Sequence, residues 1–311
     1  VRAHNSLLLV FFAIITSNVT ACALPQKTTQ PETLEAIRKD SCLTFMTYNI
    51  RVGAGRENLL MPVKYLNSSE EKLEKIALAI KSVAPDIIGL QEVKGSTQAK
   101  SLANALGFNY VYVSHGDSRL EWGLAVLSRF TIVEYQQQVI HHDDKKLRVA
   151  LVCTIKVNNS SITIVNVHYA LGDYDTQVKE TMKIVGDISG PALLMGDLNL
   201  IDLEDGLAPL RTEFIDTCEA VDTKGSREAK QRGTFRFGSK RIDYIFVDPK
   251  YFTVLDVGLT PEEHREPSDH LAYFACVTLK GEQSSGQSST SDVVPVKVEF
   301  PHSLSTTGMK E

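Results

Sequence analysis

The chain has 311 residues, 43% of them hydrophobic and 23% charged, ordinary proportions for globular material and enough length for one large α/β domain or two small ones. Its net charge of -5 and sequence pI near 5.9 exclude a protein that grips nucleic acid through a bulk basic surface, because such surfaces work by neutralising many phosphates. They leave room for an enzyme that engages only a few.

Arg2 and His4 precede an apolar run from Leu7 to Ile15, followed by small and polar residues up to Ala21-Cys22-Ala23. That order is the layout of a secretory signal over 1–23, and the run is too short for a membrane span. Val19-Thr20-Ala21-Cys22 is similar to a bacterial lipobox, in which Cys22 becomes a lipidated N-terminus, whereas Ala21-x-Ala23 fits ordinary cleavage. Either reading exports the protein, to the periplasm, the cell surface or the medium, and touches a membrane only through a lipid at Cys22. Residues 24–40 read as a polar tether, 41–280 as the folded domain, and 281–311, opening with Gly-Glu-Gln-Ser-Ser-Gly-Gln-Ser-Ser, as a disordered low-complexity tail.

Within the domain a strand is expected from Leu43 to Ile50, then a helix from Ser69 to Val83, where Leu73, Ile76, Ala77 and Ile80 recur at helical spacing and Ser69 supplies a cap. A strand from Asp86 to Leu90 and a helix from Thr97 to Leu106, closed by Gly107, follow. The pattern then turns to strands at 109–113, 123–127, 131–139, 147–157 and 161–167, with Asn158-Asn159 as a hairpin turn. A helix from Tyr174 to Ile188 precedes the apolar run Pro191 to Met195, and strands are expected at 241–247, 253–259 and 270–279. So many strands among so few helices bury themselves most simply as two packed sheets covered by helices. Cys42, Cys153, Cys218 and Cys276 form an even set in an exported chain, with Cys153 and Cys276, inside strand-like runs, expected to act as small buried hydrophobes.

Chemistry collects where these apolar runs end. Asn49 follows Thr44–Tyr48, Glu92 follows Ile87–Gln91, and His168 follows Ile162–Val167. The run ending at Met195 opens into Gly196-Asp197-Leu198-Asn199; Asp243 lies within Arg241–Val247, and Asp269-His270 come later. An unpaired buried carboxylate costs several kcal/mol, so such groups need a metal, a water or one another. Singly each has a structural explanation: a turn at Asn49 or Asp197, a loop acid at Glu92, a satisfied core histidine at His168, a partner for Arg241 at Asp243, a cap at Asp269. No serine nucleophile elbow or P-loop occurs in the sequence.

Seven motifs in order carry a resemblance: Thr-Tyr-Asn-Ile at 47–50, Leu-Gln-Glu-Val at 90–93, Gly-Leu-Ala-Val-Leu-Ser-Arg at 123–129, Asn-Val-His-Tyr at 166–169, Met-Gly-Asp-Leu-Asn at 195–199, Arg-Ile-Asp-Tyr-Ile at 241–245 and Ser-Asp-His at 268–270. Over residues 43–279 the chain resembles the endonuclease/exonuclease/phosphatase superfamily. The resemblance implies a DNase I-like four-layer α/β/β/α sandwich of two mixed β-sheets flanked by helices. It also implies hydrolysis of phosphoric esters with a divalent metal, usually Mg2+, with Mn2+ or Ca2+ as substitutes. By the same resemblance Glu92 is the principal metal ligand, with Asn49 beside it and Asp269 binding or orienting the metal from the far side. Asp197 and Asn199 position the attacking water and the phosphoryl oxygens, His270, held by Asp243, acts as general base or electrostatic partner, and His168 stabilises the phosphate or protonates the leaving oxygen.

The chemistry needs such groups in any case: neutralised non-bridging oxygens, a positioned nucleophile and a proton route. Arg148, beside an apolar strand, is either a phosphate contact or a sheet-edge arginine. Arg-Ile-Asp-Tyr stands where the inositol-polyphosphate branch has Trp-Cys-Asp-Arg, and Gln-Glu-Val-Lys where abasic-site endonucleases have Gln-Glu-Thr-Lys, which disfavours both. The expectation is an exported monomeric phosphodiesterase, foremost a nuclease. A phospholipid or sphingolipid phosphodiesterase, a phosphomonoesterase and, from another class, a non-catalytic surface lipoprotein that uses the fold for binding are the alternatives.

Overall fold

Alternation along the central strands decides the layers. In the computed structural model, which describes residues 42–280 apart from 56–65, 67, 117–121, 144–146, 202–204 and 237–238, the strands run in chain order as β1 (Leu43–Asn49), β2 (Ile87–Lys94), β3 (Asn109–Ser114), β4 (Trp122–Ser128), β5 (Thr131–His142), β6 (Leu147–Val157), β7 (Ser160–His168), β8 (Ala192–Asp197), β9 (Ile215–Asp216), β10 (Asp243–Val247), β11 (Phe252–Leu259) and β12 (Tyr273–Leu279). The α-helices are α1 (Glu70–Val83), α2 (Gly95–Leu106), α3 (Tyr174–Gly186), α4 (Ala208–Glu213) and α5 (Lys224–Arg232). The expected signal at 1–23 with Cys22, the tether at 24–40 and the tail at 281–311 lie outside the described residues.

One six-stranded sheet has the order β11-β12-β1-β2-β4-β3 and the other β5-β6-β7-β8-β10-β9. Each is mixed, with one parallel pair at its centre, β1 with β2 and β7 with β8. Phe45, Ile87, Ile164, Leu193, Met195 and Ile245 point into the core between the sheets, while their neighbours Met46, Ile88, Val165, Leu194 and Phe246 point outward. The outward row of the first sheet packs on Ile76 and Ile80 of α1 and Ala99 and Leu102 of α2; that of the second packs on Val178 and Ile184 of α3 and Leu210 of α4. Strands buried on both faces read as continuous apolar runs, and for that reason the sequence locates them well. The four-layer DNase I-like sandwich follows.

Ser69 caps α1 by accepting the Lys72 N–H, and Gly107 closes α2 in the left-handed region at φ 72°. Between 201 and 240 no hydrophobic period announces structure, yet α4, β9 and α5 form there. Helix α5 buries only Ser226 and Ala229 and starts from a capping box between Thr223 and Ser226. Close approach matters at two of the glycines that line the sheet centres. A Cβ on Gly89 would meet the Met195 sulfur at 2.5 Å across the core, and one on Gly196, at φ 148°, the Val167 carbonyl oxygen at 2.0 Å.

Cys276 is a correction: it forms a disulfide with Cys42 rather than packing as a thiol. Antiparallel pairing of β1 with β12 places Thr44 opposite Cys276, so the two sulfurs meet although 234 residues separate them. Strand-like surroundings showed burial and not which distant strand lies alongside. Cys153 and Cys218 are buried and free. Closing so long a loop restricts the unfolded chain, and reduction of the bridge is expected to lower stability by about 2–5 kcal/mol. Urea unfolding with and without reductant checks this, identical midpoints showing that the bridge contributes nothing.

Candidate active site

The row of side chains that forms the core turns polar where the central strands end. Counting by twos, β1 runs Phe45, Thr47, Asn49; β7 runs Ile162, Ile164, Asn166, His168; β8 runs Leu193, Met195, Asp197; and β10 begins inward with Asp243. Asp197 is the register partner of both His168 and Asp243. The parallel pair in each sheet therefore delivers its carboxyl ends, and these polar groups, to one end of the sandwich.

β2 arrives differently. A bulge interrupts its pairing with β4 between Leu90 and Val93, and Glu92 sits inside it at φ 53°. A left-handed residue other than glycine costs about 1–2 kcal/mol, and bulges re-aim side chains beside active sites. Asn166 repairs the break from the other sheet, its Nδ2 donating to the carbonyls of Leu90 and Ala125 at 3.0 Å each, while Gln91 Nε2 donates to Asn166 Oδ1 at 2.7 Å.

Asp197 is the hub. Its Oδ2 accepts from Asn49 Nδ2 at 3.0 Å and lies 3.5 Å from His168 Nε2 and 3.7 Å from His270 Nε2, and its Oδ1 accepts the Asn199 N–H at 2.9 Å. Asn49 Nδ2 also donates to Glu92 Oε1 at 3.2 Å, so one carboxamide spans the two acids; its Oδ1 accepts the Arg51 N–H. Asn199, at φ 52°, ties its Nδ2 to the Tyr169 carbonyl. His270 Nδ1 lies 2.8 Å from Asp243 Oδ2, and Thr234 Oγ1 accepts the backbone N–H of Asp243. Ser268 Oγ donates to the Asn49 carbonyl at 2.7 Å and accepts the His270 N–H, joining the two sides, and Asp269 pairs with Arg51 Nε at 3.3 Å.

Glu92, Arg148, His168, Asp197, Asn199, Asp269 and His270 line one cleft of about 280 Å³, with Trp122, Tyr169, Leu171 and Phe235 as its further walls. Asn49 and Asp243 sit behind it, bonded to residues that line it. The Arg148 guanidinium lies 4.8 Å over the Trp122 ring, and Phe235 packs on His270 at 5.0 Å. A roomier hollow of about 530 Å³ beside α3 and α4 is lined chiefly by Val178, Met182 and Pro209 with scattered polar groups, and carries no comparable cluster. Sequence reading missed Gln91, Asn166 and Ser268, although all three lie inside the quoted motifs. It also missed Trp122, Thr234 and Phe235, which no spacing marks.

Burial pushes the Glu92 carboxyl up to about 7, helped by the Asp269 charge, and pushes Asp197 up to about 7, helped by Asp243. Burial opposes protonation of His270, yet the carboxylates of Asp243 and Asp197 outweigh it and raise the imidazole to about 10. His168 is held well below the usual imidazole range by burial and by the charge of Arg148. His270 is therefore the cationic histidine and His168 the neutral one.

Two donor sets could hold a cation. Asp197, Asp243 and His270 bring ligand atoms within 4.8 Å of one another, but His270 Nδ1 and Asp243 Oδ2 already satisfy each other. Glu92 Oε2 is buried with no hydrogen-bond partner, and a hard divalent cation seeks such an oxygen. The Glu92 side, with Asn49 and Asp269 nearby, fits a cation better. Ligation through Asn49 Oδ1 requires its carboxamide to turn over from the present hydrogen bonds.

The model of the Endonuclease/Exonuclease/phosphatase family matches residues 46–270. Among solved structures, a functionally unknown conserved protein from Enterococcus faecalis V583 aligns with a TM-score of 0.64 at 21% identity, over 76% of this chain and 100% of that one. The human Nocturnin catalytic domain with bound sulfate aligns with a TM-score of 0.61 at 19% identity, over 78% and 94%. A mannosyl-6-phosphatase from Bacteroides thetaiotaomicron VPI-5482 aligns with a TM-score of 0.58 at 24% identity, over 76% and 99%. At these identities the likeness shows the fold. No curated protein matches the sequence.

A histidine raised from 6.5 to about 10 contributes stability that is complete below pH 6.5 and lost as pH climbs through about 10. In the presence of chelator, the difference in unfolding free energy between the wild type and His270→Gln is expected to be largest in the acid part of that window and to shrink across it. A difference that does not vary with pH would show that His270 is not an imidazolium in the folded protein.

Proposed function

The chain belongs to the endonuclease/exonuclease/phosphatase family, whose members hydrolyse phosphoester bonds, and on that premise we propose that it is an exported, divalent-metal-dependent phosphodiesterase whose substrate is nucleic acid. The observation that carries the reading is the Asn49 bridge: one carboxamide joins Glu92, whose other oxygen is buried and unpartnered, to Asp197, the hub of the two histidines.

Glu92, with Asn49 and Asp269, would hold Mg2+, or Mn2+ or Ca2+ in its place. When bound, the cation neutralises charge that develops on the phosphoryl oxygens. Asp197, raised near neutrality, orients the attacking water with Asn199 and accepts its proton. The His270 imidazolium, fixed by Asp243, donates from Nε2 toward a non-bridging oxygen. Neutral His168 offers an N–H to the phosphate or the leaving oxygen, and Arg148 contacts the same charge.

Among the described residues Arg148 is the single Lys or Arg in the cleft lining, which suits the one negative charge of a diester better than the two of a monoester. Leu171 is the one strongly exposed large hydrophobic in that lining, too little apolar surface for catalysis on a membrane. The Cys42–Cys276 bridge supports an oxidising compartment, in keeping with the signal read at 1–23. Lipid at Cys22 is part of the same proposal.

Purified protein incubated with Mg2+, Mn2+ or Ca2+ is expected to cleave DNA or RNA, and chelator to abolish the cleavage. Glu92→Gln, Asp197→Asn and His270→Gln should each lower kcat by about 10²–10⁴-fold with the fold retained by circular dichroism. Cleavage confined to sphingomyelin or to a phosphomonoester would replace the substrate. No hydrolysis of these substrates or of bis-p-nitrophenyl phosphate with any of the three metals would sink the enzymatic reading and leave a binding scaffold.

A further inference from the structure

The two histidines of the cleft are held by different means. His270 has the usual arrangement, Nδ1 on a carboxylate. His168 does not: its Nδ1 is buried and has no hydrogen-bond partner. Two more ring nitrogens on the same flank share that condition, Nε2 of His115 and Nε1 of Trp122. The three rings touch pairwise, with centroids 5.4 Å apart for His115 and Trp122, 6.2 Å for His115 and His168, and 5.3 Å for Trp122 and His168, at interplanar angles of 71°, 62° and 84°.

Hydrogen bonding settles where the protons sit. His115 Nδ1 accepts the backbone N–H of Val149 at 3.3 Å, so its lone pair is at Nδ1 and its proton at Nε2. His115 is fully buried, and burial with the Arg148 charge depresses it to about 3, so it stays neutral. An indole nitrogen is only ever a donor. The flank thus packs against His168 two rings whose unpartnered nitrogens carry N–H, and the Arg148 charge acts on it as well. A proton on His168 Nδ1 has no hydrogen-bond partner and sits on a ring that the Arg148 charge acts on, whereas one on Nε2 faces Asp197 Oδ2 at 3.5 Å.

We infer that His115 and Trp122 are positioning residues: their edge-on rings, whose unpartnered nitrogens carry N–H, hold His168 in the tautomer protonated at Nε2, toward Asp197, while the Asp243 carboxylate orients the His270 imidazolium through Nδ1. The inference rests on the reading of His168 as a group that serves the reaction. A buried ring packed edge-on against two others cannot turn over without displacing them, so the packing also opposes the exchange of Nδ1 and Nε2 positions.

The test combines kinetics with nitrogen-resolved NMR of the histidine rings in the intact protein. Wild-type His168 is expected to be neutral with its proton on Nε2 alone. His115→Phe keeps a ring and removes the N–H; it should give a mixture of His168 tautomers and lower kcat by about tenfold, the small end of a misplaced acid–base group, with KM unchanged. His115→Gln, whose amide both accepts and donates, should restore the tautomer and most of kcat. A proton on Nδ1 of His168 in the wild type overturns the inference, and this measurement needs no variant to fold. So does a His115→Phe variant whose tautomer is unaltered, whatever its activity. Absence of wild-type hydrolysis is a separate result, which refutes the proposed function while the tautomer measurement still reads the positioning.

Discussion

Asn166 ties the two sheets together at the depth where their apolar core stops. Its carboxamide reaches from β7 to the Leu90 and Ala125 carbonyls of the opposite sheet and accepts from Gln91. These backbone carbonyls flank the bulge that carries Glu92, so one buried side chain compensates for the broken ladder and sets how the sheets meet. Buried polar groups of this kind stabilise only when fully satisfied, and here each carboxamide atom has a partner. The convergence of Glu92 from one sheet with His168 and Asp197 from the other depends on it.

Beyond that tie the sandwich accumulates negative charge. Glu92, Asp197, Asp243 and Asp269 meet at one end, with His270, Arg51 and Arg148 against them. Burial drives Glu92 and Asp197 toward neutrality, and the charge on His270 is the response of the cluster to its acids. Glu92 and Asn199, and Arg51 beside them, occupy left-handed backbone. Such strain persists where surrounding structure over-determines it. Here the bulge and the Asn199–Tyr169 bond do so.

The rim is braced as firmly as the centre. Gln177 of α3 accepts the Ala170 N–H and donates to the carbonyls of Ala170 and Gly172, which fixes the turn that presents Leu171, 67% exposed, at the mouth of the cleft. Asp173, next in that turn, holds His141 of β5 rather than capping α3. A rigid scaffold with a polar centre and a fixed rim is suited to orienting a substrate, since positioning supplies much of the barrier reduction in phosphoryl transfer.

The sequence by itself determined every strand but β9 and three of the five helices, because runs buried on both faces and amphipathic stripes are local patterns. It also located Asn49, Glu92, His168 and Asp197 at the ends of apolar runs, since a row that turns from apolar to polar, as from Met195 to Asp197, is readable residue by residue. Helices α4 and α5 escaped it, the latter because a capping box and tertiary contact replace the hydrophobic stripe. Tertiary structure alone decided which ends meet. The Cys42–Cys276 bridge, the Ser268 bond to Asn49 and the span of Asn49 from Glu92 to Asp197 join segments 43 to 234 residues apart. The charge states of His168 and His270 were decided there too, because they follow from burial and from neighbours that no spacing along the chain encodes.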